Sequence, residues 1–338
     1  MSKILVTGGS GYIGSHTVVE LQRAGYEVII VDNLSNSTVG VIDRIGRISG
    51  KRPFFVKADC SDRGVMRDIF GRGNGIDGII HFAASKAVNE SIDKPLHYYR
   101  NNLDSLMTLL ELMPEFGVKG IVFSSSCTVY GQPDLLPVDE SAPTKVAESP
   151  YGNTKQISEE IIRDVINSGV SFKSIILRYF NPIGAHPSAE IGELPNGTPQ
   201  NLVPFLTQAA AGIREELLVF GNDYNTPDGS CIRDYINVVD LAKAHVVAMH
   251  RMLECLECDS VEYYNLGTGK GVSVLELIDT FERATGIRVP YRITARRAGD
   301  IEQIWADSRY ANEVLGWRAE ETLEDTLRSA WKWQQSLV

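Results

Sequence analysis

The chain has 338 residues, 43% of them hydrophobic and 22% charged, and its 33 basic against 43 acidic side chains leave a formal charge of −10. That length predicts two domains or one elaborated α/β body with a sizeable core, and the negative field argues against nucleic acid or anionic lipid as partners. No apolar run approaches the ~20 residues of a membrane span, and the N-terminus lacks a signal-peptide layout, so a soluble, cytoplasmic protein is expected.

Strand-like runs at residues 3–7, 27–31, 53–57, 78–81, 120–124 and 173–177 alternate with amphipathic helical ones, the rhythm of a doubly wound parallel sheet. These runs are nearly all apolar, as in Val28-Ile29-Ile30-Val31 and Ile175-Ile176-Leu177. Helices on both faces of the sheet are the implied consequence.

The first strand runs into Gly8-Gly9-Ser10-Gly11-Tyr12-Ile13-Gly14 and then a helical pattern. Glycines at 8, 11 and 14 allow a tight turn, admit a pyrophosphate to backbone N–H groups at the positive end of a helix, and let that helix pack closely on the strand. The next strand ends in Asp32, 18 residues after Gly14, where a carboxylate accepts hydrogen bonds from a ribose 2′-hydroxyl. Such a carboxylate repels a 2′-phosphate and no arginine adjoins it, so NAD is expected rather than NADP.

The strand at 120–124 leads into Ser125, Ser126, Cys127 and Thr128, which sets hydroxyls at the carboxyl end of a parallel strand, where α/β folds place ligands. Downstream, Ser149 and Pro150 read as the N-cap and first residue of a helix that carries Tyr151 and Lys155 four apart on one face. A tyrosine must fall by roughly 3 pH units to act as a base near neutrality, and a neighbouring lysine and a positive nicotinamide ring both push that way. The chemistry implied is phenolate-assisted removal of a hydroxyl proton while the carbon-bound hydrogen leaves as hydride to NAD⁺. The Tyr-Lys spacing alone favours a half-buried tyrosine beside a solvated lysine; the glycine fingerprint and serine cluster turn the balance to the catalytic reading.

After residue 179 the texture becomes irregular, with three prolines and two glycines between 192 and 204. A domain transition is expected near 180, with a cofactor domain at 1–180. A helix at 238–253 and a strand at 262–266 look like returning sheet material, so segments near 236–268 rejoin the first domain and 181–338 form an interleaved, smaller α/β domain. The run Gly267-Thr268-Gly269-Lys270-Gly271 imitates a phosphate loop, but Lys270 precedes Gly rather than Ser or Thr, which makes a plain turn the expectation. Cysteines stand at 60, 127, 231, 255 and 258; the C-x-x-C of Cys255 and Cys258 lacks the partners of a zinc site and the context of a redox helix, and is expected to be a reduced, non-ligand pair. No metal site is expected.

Taken together, the runs 6–16, 32–34, 81–83, 86–88, 98–99, 101–102, 124–126, 128–131, 149–152, 177–182, 184–187, 220–224, 233–235, 264–267 and 299–300 resemble, in order, the extended short-chain dehydrogenase/reductase superfamily and within it the UDP-glucose 4-epimerase family. The resemblance spans nearly the whole chain. It implies a Rossmann fold whose remaining domain binds a UDP-hexose, and a homodimer paired through helices around 102–113 and 151–166. It makes Tyr151 the base and Lys155 the group that holds the nicotinamide ribose and lowers the tyrosine pKa. Ser126 would bind the sugar 4-oxygen, with Thr128 nearby.

The same resemblance assigns NAD contacts to Gly8, Gly11, Tyr12, Ile13, Gly14, Asp32, Asn33, Leu34, Ser35, Asn36, Ser37, Asp59, Cys60, Phe82, Ala83, Ala84, Ser85, Lys86, Asn101, Ser126, Tyr151, Lys155 and Phe180. It assigns substrate contacts to Ser126, Tyr151, Asn181, Asn201, Leu202, Leu218, Val219, Phe220, Arg233, Arg297, Asp300 and Ile304. Arg233 and Arg297 suit a diphosphate on their own chemistry. The chain departs from the family at Ala84-Ser85, where Gly-Leu is common, at Asn237, where His is common, and at Ile304, where a tyrosine excludes N-acetylated sugars and a small residue admits them.

Two rival functions are weighed against epimerisation. A nucleotide-sugar dehydratase or decarboxylase needs a carboxylate after the serine cluster, whereas this chain reads Ser126-Cys127-Thr128, so elimination lacks its general acid. A non-catalytic NAD-binding scaffold predicts loss of Tyr151, Lys155 or the hydroxyl, and all are present. Galactose use and supply of sugars for surface polysaccharide both fit an epimerase.

Overall fold

A computed structural model describes residues 2–73, 75–297 and 299–337. The apolar runs become the parallel strands β1 (Lys3–Thr7), β2 (Glu27–Asp32), β3 (Phe54–Lys57), β4 (Ile76–His81), β5 (Gly120–Ser126) and β6 (Lys173–Tyr179). Next come β7 (Asn181–Ile183), β8 (Leu217–Phe220), β9 (Ile232–Arg233) and β10 (Tyr235–Asn237), all outside that sheet. β11 (Val261–Leu266) then returns to it as the seventh strand, parallel to β6, before β12 (Val272–Ser273), β13 (Tyr291–Thr294) and β14 (Gln303–Ile304) leave it again.

The sheet order β3-β2-β1-β4-β5-β6-β11 makes β1 and β4 neighbours although the chain visits one edge between them. The reversal opens a crevice at the carboxyl ends of these two strands, where open α/β sheets take ligands.

The helices in chain order are α1 (Tyr12–Arg23), α2 (Gly40–Ser49), α3 (Arg63–Gly73), α4 (Val88–Asp93), α5 (Pro95–Tyr99), α6 (Ser105–Glu115), α7 (Pro150–Asn167), α8 (Leu202–Ala210), α9 (Val238–Glu254), α10 (Val274–Thr285) and α11 (Leu323–Gln335). On β1, Ile4 and Val6 face a core built with α1, α2 and α9 (Val18, Leu21, Ile45, Ala248). Leu5 faces the opposite core, shared with α3, α6 and α7 (Phe70, Leu109, Ile162). Successive strand residues therefore enter two different interiors, and each fully buried Leu or Ile contributes about 1.5–3 kcal/mol. That is why the strands read as unbroken apolar runs rather than as alternation.

A third core (Leu206, Val219, Leu277, Phe281, Leu327) holds α8, α10 and α11 with the short strands. β9 lies between β12 and β14, with Arg233 opposite Ile304, while β7 pairs with β10 and β8 with β13. Asn237 is the N-cap of α9: its side chain accepts from the N–H of Val239 at 2.7 Å and donates to Thr326 Oγ1 at 3.0 Å. The departure from His thus installs a cap that ties α9 to α11.

One expectation is overturned. Cys255 and Cys258 form a disulfide across the turn after α9, their Cα atoms 5.6 Å apart, within the span a disulfide bridges. The Lys173 ammonium donates to the carbonyls of Cys255, Leu256 and Cys258 at 2.9, 3.2 and 3.0 Å and holds that turn against the start of β6. The thiols of Cys60, Cys127 and Cys231 are free and buried. Among the described residues no helix is long and apolar enough to cross a membrane.

Candidate active site

The glycine loop leaves β1 and delivers the N-terminus of α1 to the crevice. Gly8 takes φ of +69°, and a Cβ there would lie 2.8 Å from the N of Ala83, in the segment that follows β4; a Cβ on Gly14 would lie 2.3 Å from the carbonyl oxygen of Gly8. Side chains at either place would force the helix off the strand. Gly11 caps α1 without a side-chain bond, and the first turn carries no acid, so its N–H groups and positive dipole end are uncompensated by the helix itself.

Asp32 closes β2 beside them and is buried. Its carboxylate accepts from the N–H of Ser10 at 3.2 Å and of Leu34 at 2.8 Å, which fixes its position at the loop. Leu34 adopts a left-handed φ of 61°. Asn33 reaches Asp59 at 3.2 Å, Ser37 shares a 2.8 Å bond with Ser10, and Cys60 is buried behind them. Ser35 and Asn36 lie exposed on the same loop. This arrangement fits a dinucleotide: an anion seat at a helix start, then a carboxylate one strand away.

The segment after β4 forms the other wall. Phe82 packs on His245, ring centroids 4.8 Å apart. Asn101 donates to the Ser85 hydroxyl at 3.3 Å, and Lys86 reaches Glu193 at 3.3 Å. Tyr12 donates to the carbonyl of Gly184 at 2.7 Å, and so ties the start of α1 to the irregular segment after β7.

At the end of β5, Ser149 caps α7 by accepting from the N–H of Gly152 at 3.1 Å, and Pro150 occupies the first helical turn. Tyr151 and Lys155 then face inward together, the Lys155 ammonium 5.9 Å from the Tyr151 ring centroid. The Ser126 hydroxyl accepts from the N–H of Thr128 at 3.3 Å and acts on the Tyr151 phenol, favouring its ionised form. Thr128 Oγ1 is buried beside this turn with no hydrogen-bond partner among the described residues, a polar atom that a ligand hydroxyl would satisfy.

The electrostatics differ from expectation. Burial, followed by Tyr179, pushes the Tyr151 phenol well above its ordinary value of 10, against the opposing bond from Ser126. Burial also pulls Lys155 from 10.5 down to about 8, with Glu159 working the other way. Among the protein's own groups desolvation therefore dominates at the phenol, while the Lys155 ammonium donates to the Ser124 carbonyl at 2.7 Å.

The residues assigned to substrate converge from distant parts of the chain. Asp300 Oδ1 accepts from Arg233 at 3.1 Å and from Arg297 at 3.0 Å, and the Arg297 guanidinium lies 5.5 Å from the Phe220 ring centroid. Ile304 is 2% exposed and packs with Phe180, Cys127 and Tyr130. Because Arg233 and Ile304 are paired in register, the arginine pair and the serine turn are joined by one strand ladder. Asn181 sits on β7 with its N–H bonded to Asp234 at 2.9 Å. Asn201 starts α8 and donates to Glu193 at 2.6 Å. Val219 is the exception: its side chain belongs to the third core with that of neighbouring Leu217, so only its backbone can face a ligand, whereas Leu218 is half-buried.

The glycine run at 267–271 is filled internally. Thr268 and Gly269 N–H groups donate to the Asp234 carboxylate at 2.8 and 3.1 Å, so the loop's donors are taken by the protein itself.

Three residues escape the sequence reading. Asn102 clamps the segment after β4 to α7: its amide accepts from the N–H of Ser85 at 2.8 Å and donates to the Ser85 carbonyl and Thr154 Oγ1, each at 3.0 Å. The Asn101-Asn102 pair was the only signal. Tyr224 and Arg296 stack at 4.1 Å and line a cavity of about 240 Å³ that also reaches Asp300 and Glu302. Tyr224 ends the run 220–224 noted above, and no local pattern marks Arg296.

A protein-family model described as GDP-mannose 4,6 dehydratase matches residues 5–330. UDP-glucose 4-epimerase of Bacillus subtilis (strain 168) is 50% identical over 335 residues, covering 99% of this chain and 97% of that protein. The human UDP-glucose 4-epimerase is 47% identical over 339 residues, covering 98% and 96%. Among solved structures, UDP-glucose 4-epimerase from Stenotrophomonas maltophila with bound NAD and formylated UDP-arabinopyranose superposes with a TM-score of 0.96 at 49% identity, over 100% of this chain and 99% of that one. The Bifidobacterium longum enzyme in complex with NAD⁺ and UDP gives 0.94 at 46% identity, over 99% and 98%.

Proposed function

The chain belongs to the UDP-glucose 4-epimerase family, and from that membership we propose how its residues divide the reaction. It is an NAD-dependent epimerase that interconverts UDP-glucose and UDP-galactose through a transient 4-keto sugar. Bound NAD supplies reversible oxidation at the sugar carbon, so the hydrogen removed from one face can be restored to the other.

Tyr151 takes the 4-hydroxyl proton and gives it back, with the Ser126 hydroxyl beside it on the same oxygen. Thr128 offers its unpaired hydroxyl to the sugar. Lys155 supplies the fixed positive charge that favours phenolate once the cofactor's own charge is added. Gly8, Gly11, Gly14 and the start of α1 seat the dinucleotide diphosphate, and Asp32 holds a ribose. Arg233 and Arg297 take the sugar-nucleotide diphosphate by exchanging Asp300 for it. The observation that carries the reading is the buried Ser126, Tyr151 and Lys155 grouping at a strand end whose next residues, Cys127 and Thr128, bring no carboxylate for elimination.

Residues 1–180, with returning segments near 236–268, are proposed as the cofactor part, and 181–338 mainly as the UDP-sugar part. A cytoplasmic homodimer engaged in galactose metabolism is the accompanying reading. Met107 on α6 is exposed, and Ile157 and Ile161 on α7 are half-buried, which leaves apolar surface for a partner copy. Purified protein given UDP-galactose, with no NAD added, is expected to form UDP-glucose as followed by proton NMR. Protein that retains NAD and leaves UDP-galactose unchanged would overturn the proposal.

A further inference from the structure

Glu159 is a carboxylate 5% exposed, one helical turn beyond Lys155 on α7, and the reaction described above does not use it. Its Oε1 accepts from Ser125 Oγ at 2.5 Å and from Arg178 Nε at 3.0 Å, and its Oε2 accepts from Arg178 Nη2 at 2.6 Å. Arg178 Nη1 donates to Tyr130, whose hydroxyl donates to Asn265, at 2.9 and 2.7 Å. Asn265 donates to the Val138 carbonyl at 2.9 Å, and that carbonyl also accepts from the N–H of Asp307, just past Ile304, at 2.7 Å. One chain of bonds thus runs from the serine turn, behind the catalytic helix, to the segment that packs on the sugar side.

A buried ion pair is often no more stabilising than apolar residues of the same volume, so stability alone is a weak reason for this one. Its surroundings supply another. The Lys155 ammonium is buried and faces the Tyr151 phenol on α7, the Ser124 carbonyl and the Phe123 ring on β5, and on β4 His81, which burial holds neutral near neutral pH. Among the groups that act on it, Glu159 is the anion. Around Glu159 itself stand Arg178 from β6 and Tyr263 from β11, with Glu140, Glu160 and Arg163 lining a cavity beside the pair.

We propose that Glu159 is a positioning residue for the epimerisation: it keeps the buried Lys155 ammonium charged, and through Ser125 it holds the turn that presents Ser126. The inference rests on Tyr151 and Lys155 being the reacting pair.

The test measures kcat for UDP-galactose from about pH 6 to about pH 10 in wild type, E159Q and E159D, together with Tm and retained NAD. Losing the carboxylate charge lowers the lysine pKa further, so the alkaline decline of kcat in E159Q is expected about one pH unit or more lower than in wild type. E159D keeps the charge and loses bonds, so its Tm falls while its alkaline limb stays at the wild-type position. Where E159Q fails to fold because Arg178 is left unpaired, E159Q/R178Q removes both charges, and because the guanidinium's opposing charge goes with the carboxylate its limb is expected to move acidward by a smaller amount. An alkaline limb unmoved in whichever of these two folds, or moved equally in E159D, overturns the inference. Wild type without epimerase activity, or undiminished turnover after Lys155→Met, would instead break the underlying assignment.

Discussion

Lys155 donates to the main-chain carbonyl of Ser124 at 2.7 Å, a bond that pins α7 to the carboxyl end of β5. The ammonium is held there by a neutral acceptor in a site that burial makes hostile to charge. The protein meets this cost to place a cation beneath Tyr151.

Replacing Tyr151 with Phe keeps the ring and removes the ionisable oxygen. Turnover of UDP-galactose is expected to fall by roughly 10²-fold or more, the loss typical of a positioned general base, with little change in Tm. Turnover close to wild type in an NMR assay would contradict the role.

Lys155→Met is expected to abolish turnover and to raise stability near neutral pH. Burial brings the folded lysine down to about 8 from its ordinary value of 10.5, so the folded state binds fewer protons between those values and stability rises with pH across that window. Below it, burying the charge costs on the order of 3 kcal/mol, offset in part by the bond to Ser124. Urea midpoints should favour the variant at neutral pH, with the gap closing as pH rises through about 8 toward about 10. A gap independent of pH contradicts the sign.

Acid should destabilise the wild type through its buried histidines. Burial lowers His16 and His81 to about 3 and His245 to about 4, from 6.5. Their stabilisation is full above the unfolded pKa and is lost as pH falls toward the folded values, at up to about 4 kcal/mol per pH unit for three protons. His81→Asn, which retains a partner for Thr7, should lessen the slope by about one proton. Urea titrations between about pH 7 and about pH 4.5 check this; a flat stability profile there contradicts it.

Ile304 fills the space against Phe180 and Cys127. Ile304→Ala is expected to cost about 2–5 kcal/mol of stability and to raise kcat/KM for UDP-N-acetylgalactosamine relative to UDP-galactose by roughly tenfold. Parallel assays of the two sugars give the ratio; an unchanged ratio means that the side chain does not border the sugar.

What could be read in the chain was local. Strand runs, the glycine turn, the Ser149 and Pro150 start of α7 and the Tyr151 to Lys155 spacing depend on neighbours within a turn or on burial of both strand faces, which leaves its mark as composition. The same spacing puts Glu159, four residues beyond Lys155, on that helix face, but its partner Arg178 comes from β6. Asn102 could be noticed only as half of an Asn-Asn pair, since what gives it a role is Thr154, brought beside it by packing.

By itself the sequence determined the sheet, the dinucleotide fingerprint and the placing of Tyr151 and Lys155 on one helix face, because hydrophobic periodicity and backbone geometry act over short separations. Tertiary structure decided the rest: the meeting of Arg233, Asp300 and Arg297, the Cys255 to Cys258 disulfide, and a Tyr151 pKa raised rather than lowered. Long-range partners and desolvation are set by which surfaces pack together, and no residue carries that information in its immediate neighbours.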